Sequence, residues 1–211
     1  MPPATPLLGA YYYPGWHACP VRDAQQAAGF SEWDLVFDCQ PRFDGHEQPN
    51  LPLWGRLDES DPGVFSKKID AARQYGVDAL VFAFYWSRGK RLLQGALDRG
   101  FLGSPHNSAL SFACMWANRM PRNVLPVIDP AAKEIDPHRL VYTDGDDFLT
   151  FVRFLGEHYF RRSNYLRLQG ALYLSIFDTT FFLRQLGFDD AKRAIAEARN
   201  WLKAQGLGPL H

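Results

Sequence analysis

Four runs of almost uninterrupted apolar residues constrain the fold of this chain most strongly, at positions 6–13, 77–86, 109–117 and 171–178. Strands that are buried on both faces show continuous runs of this kind, whereas strands with one solvated face alternate apolar and polar residues. Amphipathic helical patterns lie between the runs. This alternation of strands and helices predicts an α/β fold built on a parallel sheet.

The helical patterns have recognisable ends. One helix is predicted to begin at Asp61, because an aspartate followed by proline is a common helix N-terminus, and to end at Gly76. A shorter helix is predicted over residues 90–99. Two further helices are predicted to begin near Asp146 and Asp189, each with apolar residues at helical spacing.

The number of βα units leaves two architectures open. A (β/α)8 TIM barrel typically runs to ~250 residues, whereas this chain of 211 residues has four predicted units and ends where a fifth strand would begin. It is therefore either a smaller open α/β sheet or the first four to five units of a barrel, in one domain over residues 1–211. A half-barrel would have two unpaired sheet edges, which favour self-association or a second chain that completes the barrel.

The charge balance and the cysteines limit the kinds of partner and of bound metal that are expected for this chain. Lys+Arg and Asp+Glu both number 23, so the net charge is zero, and neither nucleic acid nor an anionic membrane is an expected partner. Three widely spaced cysteines without a C-x-x-C pair predict free thiols rather than disulfides or a zinc site. No signal peptide or apolar run of membrane-spanning length is visible, so a cytoplasmic location is expected.

Polar and aromatic residues gather where the predicted strands end. In parallel βα folds, ligands bind at the carboxyl ends of the strands. Aromatic rings there can stack on the apolar faces of a sugar while polar groups bond its hydroxyls. The residues at these positions are Trp16, His17, Tyr85, Trp86, Arg88, Lys90, Trp116, Asn118, Arg119 and Asp178.

Each of these residues also has a purely structural interpretation. Trp86 and Trp116 could fill the core, and Lys90 could lie in a solvated helix start. Asp178 could cap the turn that follows it, an interpretation favoured over catalysis. Asn118 could be an ordinary turn residue.

The first long loop, residues 14–60, adds carboxylates and a histidine. Glu32 lies beside Trp33, which makes it a candidate for binding sugar hydroxyls, and Asp44, His46 and Glu47 raise the alternative of a metal. A metal is not expected, because the chain lacks H-E-x-x-H and comparable ligand spacings. The nucleotide-binding and serine-hydrolase motifs G-x-G-x-x-G, the P-loop and G-x-S-x-G are also missing, so no cofactor is expected.

Several segments share one resemblance: YYYPGWH (11–17), GFSEW (29–33), FDGHEQPNLPLWG (43–55), YGVDALVFAFYW (75–86), GKRLL (89–93) and MWAN (115–118). With YLRLQGALYLSIF (165–177), they resemble the WbsX family of glycoside-hydrolase-family-99-like proteins, which are often found with bacterial polysaccharide genes. The resemblance implies a (β/α)8 TIM barrel. It also implies action on glycosidic bonds of bacterial cell-surface polysaccharide, by hydrolysis or transfer and without a cofactor.

The resemblance also implies a set of residues that bind the oligosaccharide or polysaccharide. They are Tyr13, Trp16, His17, Glu32, Trp33, His46, Gln48, Tyr85, Trp86, Lys90, Trp116 and Asn118.

Two departures bear on catalysis. Relatives commonly continue the third motif as W-A-N-E-x-W, but this chain has Arg119 and Pro121 in place of the Glu and Trp, and arginine does not act as a general acid or base near neutral pH. The presumed carboxylate pair of the family, in an N-E-W-x-E-G-like motif, has no counterpart here. Because glycoside hydrolysis generally uses two carboxyl groups, the catalytic residues are unknown.

Three functions therefore remain open. The leading hypothesis is a glycoside-hydrolase-like protein, with negligible hydrolysis by residues 1–211 alone. The alternatives are a non-catalytic carbohydrate-binding remnant of such an enzyme and a glycosyltransferase of polysaccharide biosynthesis. A glycosyltransferase would need a nucleotide-sugar site, for which DGD at 144–146 is a weak match.

Overall fold

The computed structural model describes residues 6–23, 26–118 and 143–211. The strands in these ranges are β1 (Gly9–Tyr12), β2 (Ala79–Ser87), β3 (Lys90–Leu92), β4 (Ser111–Trp116), β5 (Arg167–Leu168), β6 (Ala171–Leu172) and β7 (Leu174–Ile176). The α-helices are α1 (Pro20–Asp23), α2 (Glu32–Phe37), α3 (Pro62–Gln74), α4 (Gly145–His158), α5 (Thr179–Leu186) and α6 (Phe188–Ala204). A π-helical turn, Ala96–Phe101, follows β3.

The main sheet is parallel and follows the chain order. β1 pairs with β2, β2 with β4 and β4 with β7, all in parallel. Beyond the last of these strands, Leu210 forms a parallel bridge to Leu172. The four predicted strands are thus present. The bridge at Leu210 lies where a fifth strand was expected and is also parallel.

The long helices cover one face of this sheet. Phe65 of α3 and Phe101 of the π-helical turn pack on Phe82 of β2, and Phe151 of α4 packs on Phe84 of the same strand. Helices on one face of consecutive parallel strands form the wall of a (β/α)8 barrel, whereas a doubly wound sheet carries helices on both faces. The predicted fold class, α/β of the TIM-barrel type with four to five βα units, is confirmed.

The helix ends follow the sequence signals. The Asp61 side chain accepts hydrogen bonds from the backbone of Gly63 and Val64, which starts α3 as predicted. The Asp178 side chain accepts a hydrogen bond from the Phe181 backbone at 2.8 Å and so caps α5. The capping role that the sequence favoured over catalysis is confirmed. The helix predicted from Asp189 is α6, which begins one residue earlier.

The helix predicted over residues 90–99 is wrong. Arg88 and Gly89 both have positive φ angles, 47° and 76°, and two such residues form the tight turns that join antiparallel strands. The chain therefore reverses, and β3 pairs antiparallel with the end of β2. Lys90 is an exposed strand residue in this hairpin rather than a helix start.

No helix in the described residues is both long and apolar enough to cross a membrane.

Candidate functional site

The site is organised by the alternation of side chains along the parallel strands. Successive residues of a strand point to opposite faces of its sheet. Tyr12 lies on the helix-covered face, where it contacts Phe65 and Phe82. Tyr11 lies on the other face, called here the open face, and its hydroxyl is 3.5 Å from that of Tyr173.

A cluster of polar groups forms where β1 and β2 end. The Tyr13 hydroxyl donates to Glu32 Oε1 at 2.6 Å, and Arg22 donates to the same oxygen at 2.7 Å. Tyr85 is close enough for the Glu32 charge to act on it: burial, and then that charge, raise the pKa of its hydroxyl. We call Tyr13, Arg22, Glu32 and Tyr85 the strand-end cluster.

Gly15 makes this cluster possible. A Cβ atom at this position would lie 2.2 Å from the Tyr13 ring, so the close approach of ring and backbone requires glycine. The Gly15 carbonyl also accepts from the Glu32 backbone at 3.2 Å and from the Arg22 guanidinium at 3.4 Å. The segment YYYPG therefore binds α1 and α2 to the end of β1.

Two groups of the cluster keep hydrogen-bonding capacity for a ligand. Both bonds to Glu32 use Oε1, and within the described ranges nothing bonds Oε2. The Tyr85 hydroxyl likewise bonds no described residue. A carboxylate oxygen accepts hydrogen bonds and a phenol can donate or accept, so together they suit the hydroxyls of a sugar.

Two indole rings stand next to the cluster. Trp33 follows Glu32 on α2, and its ring lies 4.3 Å from that of Trp16, centroid to centroid. Its Nε1 donates to the Leu57 carbonyl at 2.6 Å, which fixes the ring. Both tryptophans are only partly buried. The structure thus brings Tyr13, Trp16, Glu32, Trp33 and Tyr85 of the predicted set together.

Trp86 and Trp116 require a correction. Their side chains are 4% and 0% exposed, because both lie on the helix-covered face of their strands and pack on Phe151 of α4. The Trp86 Nε1 donates to Asp147 at 3.0 Å, and the Trp116 Nε1 donates to the Trp86 carbonyl at 3.1 Å. Neither ring can stack on a sugar, and the core interpretation is the one the structure supports.

Asn118 joins two strands instead of facing a ligand. It is fully buried, its Nδ2 donates to the Asp178 carbonyl, and its Oδ1 accepts from the Asp178 backbone, both at 2.8 Å. This side-chain amide continues the pairing of β4 and β7 past the end of both strands. Its hydrogen-bonding groups are used within the protein, so the predicted sugar contact is not supported.

His17 also holds the backbone. It is 4% exposed, with Nδ1 2.7 Å from the Ala18 carbonyl and Nε2 3.2 Å from the Ala96 amide. Nδ1 therefore donates to the Ala18 carbonyl, while Nε2 lies near both the Ala96 amide and the Leu93 carbonyl, the latter at 3.3 Å, which connects the loop after β1 to the π-helical turn. Both ring nitrogens thus contact the backbone, so the predicted sugar contact of His17 is not supported.

The other predicted residues lie away from the cluster. Lys90 is exposed in the β2–β3 hairpin. His46 and Gln48 line a groove of about 890 Å³ beside the opposite side of α2. Arg119 and Pro121, at which the family motif changes, lie outside the described residues.

The sequence argument missed two charged residues. Arg22 is 7% exposed and pairs with Glu32, but one arginine in a long loop carries no local signal. Glu59 is 1% exposed and forms an ion pair with Lys68 of α3. Burial raises the pKa of Glu59 even though Lys68 opposes the shift, and its backbone N–H donates to the Trp16 carbonyl at 3.2 Å.

Within the described residues, no group of three or more His, Cys, Asp or Glu side chains could hold a metal ion. Asp44, His46 and Glu47 therefore do not assemble with further ligands from this part of the chain.

The family model described as "Glycosyltransferase WbsX" matches residues 8–211. The chain belongs to the WbsX family. Two proteins called "Uncharacterized protein WxcX", from two strains of Xanthomonas campestris pv. campestris, are each 31% identical to it over 216 residues. The match covers 99% of this WbsX-family chain and 28% of each relative, so the chain spans little more than a quarter of their length.

Solved structures give a weaker likeness. A GH99 endo-alpha-mannosidase from Bacteroides thetaiotaomicron is 14% identical, with a TM-score of 0.46 over 82% of this chain and 46% of the other. A structure described as a glycoside hydrolase-like protein is 16% identical, with a TM-score of 0.48 over 97% and 49% of the two chains.

Proposed function

We propose that this WbsX-family protein binds an oligosaccharide segment of a bacterial cell-surface polysaccharide at the strand-end cluster and acts on its glycosidic bonds. The observation that carries the proposal is the Glu32 carboxylate. One of its oxygens is held by Tyr13 and Arg22, the other bonds no described residue, and its charge acts on the Tyr85 hydroxyl. Fixed polar groups beside the partly exposed rings of Trp16 and Trp33 are typical of sugar sites.

The described residues supply binding rather than the full chemistry. Hydrolysis of a glycosidic bond generally uses two carboxyl groups. Glu59 is buried against Lys68, Asp147 bonds Trp86 and the Arg88 backbone, and Asp178 caps α5. Glu32 is thus the carboxylate that the described residues bring into the strand-end cluster, and we expect residues 1–211 alone to bind glycan with negligible turnover.

The test compares Glu32→Gln with Glu157→Gln, an exposed carboxylate on α4. Binding is first screened on an array of neutral and acidic bacterial glycans and then measured by calorimetry with the best ligand. Glu32→Gln is expected to lower the affinity about tenfold or more, since a hydrogen bond to a charged acceptor contributes about 1.5–3 kcal/mol. Unchanged affinity in a folded Glu32→Gln protein would contradict the proposal.

Glycosyl transfer is the second candidate, because the family is described as a glycosyltransferase family. A transferase that uses nucleotide sugars must bind the nucleotide part of its donor. Calorimetric binding of a nucleotide sugar to the wild-type protein would favour transfer over hydrolysis.

A further inference from the structure

The groove beside α2 shares no lining residue with the strand-end cluster, although Phe30 in its lining packs against the Arg22 guanidinium, 4.7 Å from the ring centroid. It has a volume of about 890 Å³, which is within the usual range of about 300–1,000 Å³ for small-molecule sites. We call it the loop groove. Its lining includes Asp34, Asp38, Arg42, His46, Gln48 and Arg56.

The charges in the loop groove balance. Its lining contains two carboxylates, Asp34 and Asp38, and two guanidinium groups, Arg42 and Arg56. Asp34 and Arg56 form an ion pair with each other. Because the opposite charges cancel, the groove has no net charge that would select a phosphate, a uronate or a cation. An uncharged ligand rich in hydroxyls can use both kinds of group.

Two neutral side chains add directional hydrogen bonds. His46 Nδ1 accepts from the Arg42 backbone at 3.2 Å, so the neutral ring donates from Nε2. The ring packs on Phe43 with centroids 4.7 Å apart and an angle of 10° between the planes, which fixes its orientation. The Gln48 amide offers both a donor and an acceptor beside it.

α2 stands between the two sites. Glu32 belongs to the strand-end cluster, whereas Asp34, two residues later, lines the loop groove. Two residues correspond to a rotation of about 200° around a helix, so the two carboxylates point to nearly opposite sides. A helix with its side chains is about 10–12 Å wide, so a ligand that crosses α2 from one site to the other must be a chain of several sugars.

We infer that the loop groove is a second subsite for the same glycan, which takes an uncharged stretch of an oligosaccharide that crosses α2 from the strand-end cluster. This inference rests on the proposed function and extends it to the class and length of the ligand. A disaccharide would occupy the strand-end cluster alone, and an octasaccharide would reach both sites.

The test measures calorimetric affinities for a neutral oligosaccharide series, from disaccharide to octasaccharide, prepared from the polysaccharide that binds best on the array. In the double variant His46→Ala/Gln48→Ala, affinity for the octasaccharide is expected to fall about tenfold, as the loss of one or two hydrogen bonds implies. Affinity for the disaccharide is expected to stay unchanged. The matched control is His158→Ala/Gln74→Ala, which changes the same residue types at exposed positions outside the groove.

A native thiol gives a second measurement without any substitution in the groove. Cys39 is exposed and lines the loop groove, whereas Cys19 and Cys114 are buried. The octasaccharide is expected to slow the reaction of Cys39 with a thiol reagent severalfold, and the disaccharide is expected to leave the rate unchanged. The two buried thiols report any unfolding in the same experiment.

The outcomes separate the two proposals. If the groove variant binds the octasaccharide as wild type does and Cys39 stays reactive, the second subsite is wrong, while a loss in Glu32→Gln still supports the function. Groove-dependent binding of a uronate oligosaccharide that is tighter than that of the neutral series would overturn the uncharged class. If no glycan binds the wild-type protein, both the function and the subsite are wrong.

Discussion

The two faces of the sheet differ although their residues alternate along the same strands. On the helix-covered face, Phe84 and Trp86 are buried among the aromatic rings of α4. On the open face, Tyr85 lies between them, and burial and then the Glu32 charge raise the pKa of its hydroxyl. A residue near a strand end is therefore not part of the site on that ground alone. The direction of its side chain decides whether it lies on the open face or on the helix-covered face.

The largest expected effect comes from replacing one tryptophan of the core, Trp116, and comparing it with one beside the strand-end cluster, Trp33. Trp116→Ala should lower the free energy of unfolding by about 3–5 kcal/mol, because it leaves a large cavity in the core. Trp33→Ala should cost less, about 2 kcal/mol, because this partly buried ring makes two ring pairs, with Trp16 and Phe37, and one hydrogen bond to Leu57. It should also weaken glycan binding. Urea denaturation measures both values, and similar losses of stability in the two variants would show that the core and the site do not differ in this way.

The sequence was enough to predict the four strands of the parallel sheet, because continuous apolar runs are typical of strands buried on both faces. It gave no sign of β3, β5 or β6. It also placed Trp16, Glu32 and Trp33 near one another through the family resemblance. It could not separate Trp86 from Tyr85. In a run such as VFAFYW every residue is apolar or aromatic, so the alternation that distinguishes the faces is hidden.

The hairpin at Arg88 shows one further limit of prediction from the sequence. The contacts of Asn118 show another. The segment SRGK has helix-compatible neighbours, and its turn depends on positive φ angles at Arg88 and Gly89 that a non-glycine residue seldom adopts. Asn118 is bonded to a backbone 60 residues away. A contact of that separation leaves no trace in local spacing.

A smaller effect concerns Glu59, the buried glutamate that pairs with Lys68. Burial raises the pKa of Glu59, so its protonated form is favoured in the folded state. Its contribution to stability is fully present below the unfolded-state pKa of about 4.3 and is lost as the pH rises through the folded-state value.

The measurement is the free energy of unfolding of wild type and Glu59→Gln across this range. The wild-type value minus the variant value should decrease from about pH 4 to about pH 7, since the glutamine side chain of the variant does not titrate. Glu157→Gln, at an exposed position, should give a difference that stays nearly constant. A wild-type advantage that grows with pH would mean that Lys68 outweighs burial and that the pKa of Glu59 is lowered.

The smallest structural change should give the sharpest separation of the two faces. Tyr85→Phe removes only a hydroxyl that bonds no described residue, so the free energy of unfolding should change by less than about 0.5 kcal/mol. Glycan affinity should nevertheless fall roughly threefold to tenfold, because a hydrogen bond to the ligand contributes about 0.5–1.5 kcal/mol. Tyr12→Phe is the matched control on the helix-covered face, where the hydroxyl accepts from Lys68 at 3.0 Å. That variant should lose stability and keep its glycan affinity. If Tyr85→Phe instead destabilised the protein and left binding intact, the open face of β2 would serve packing, and the ligand would have to lie elsewhere.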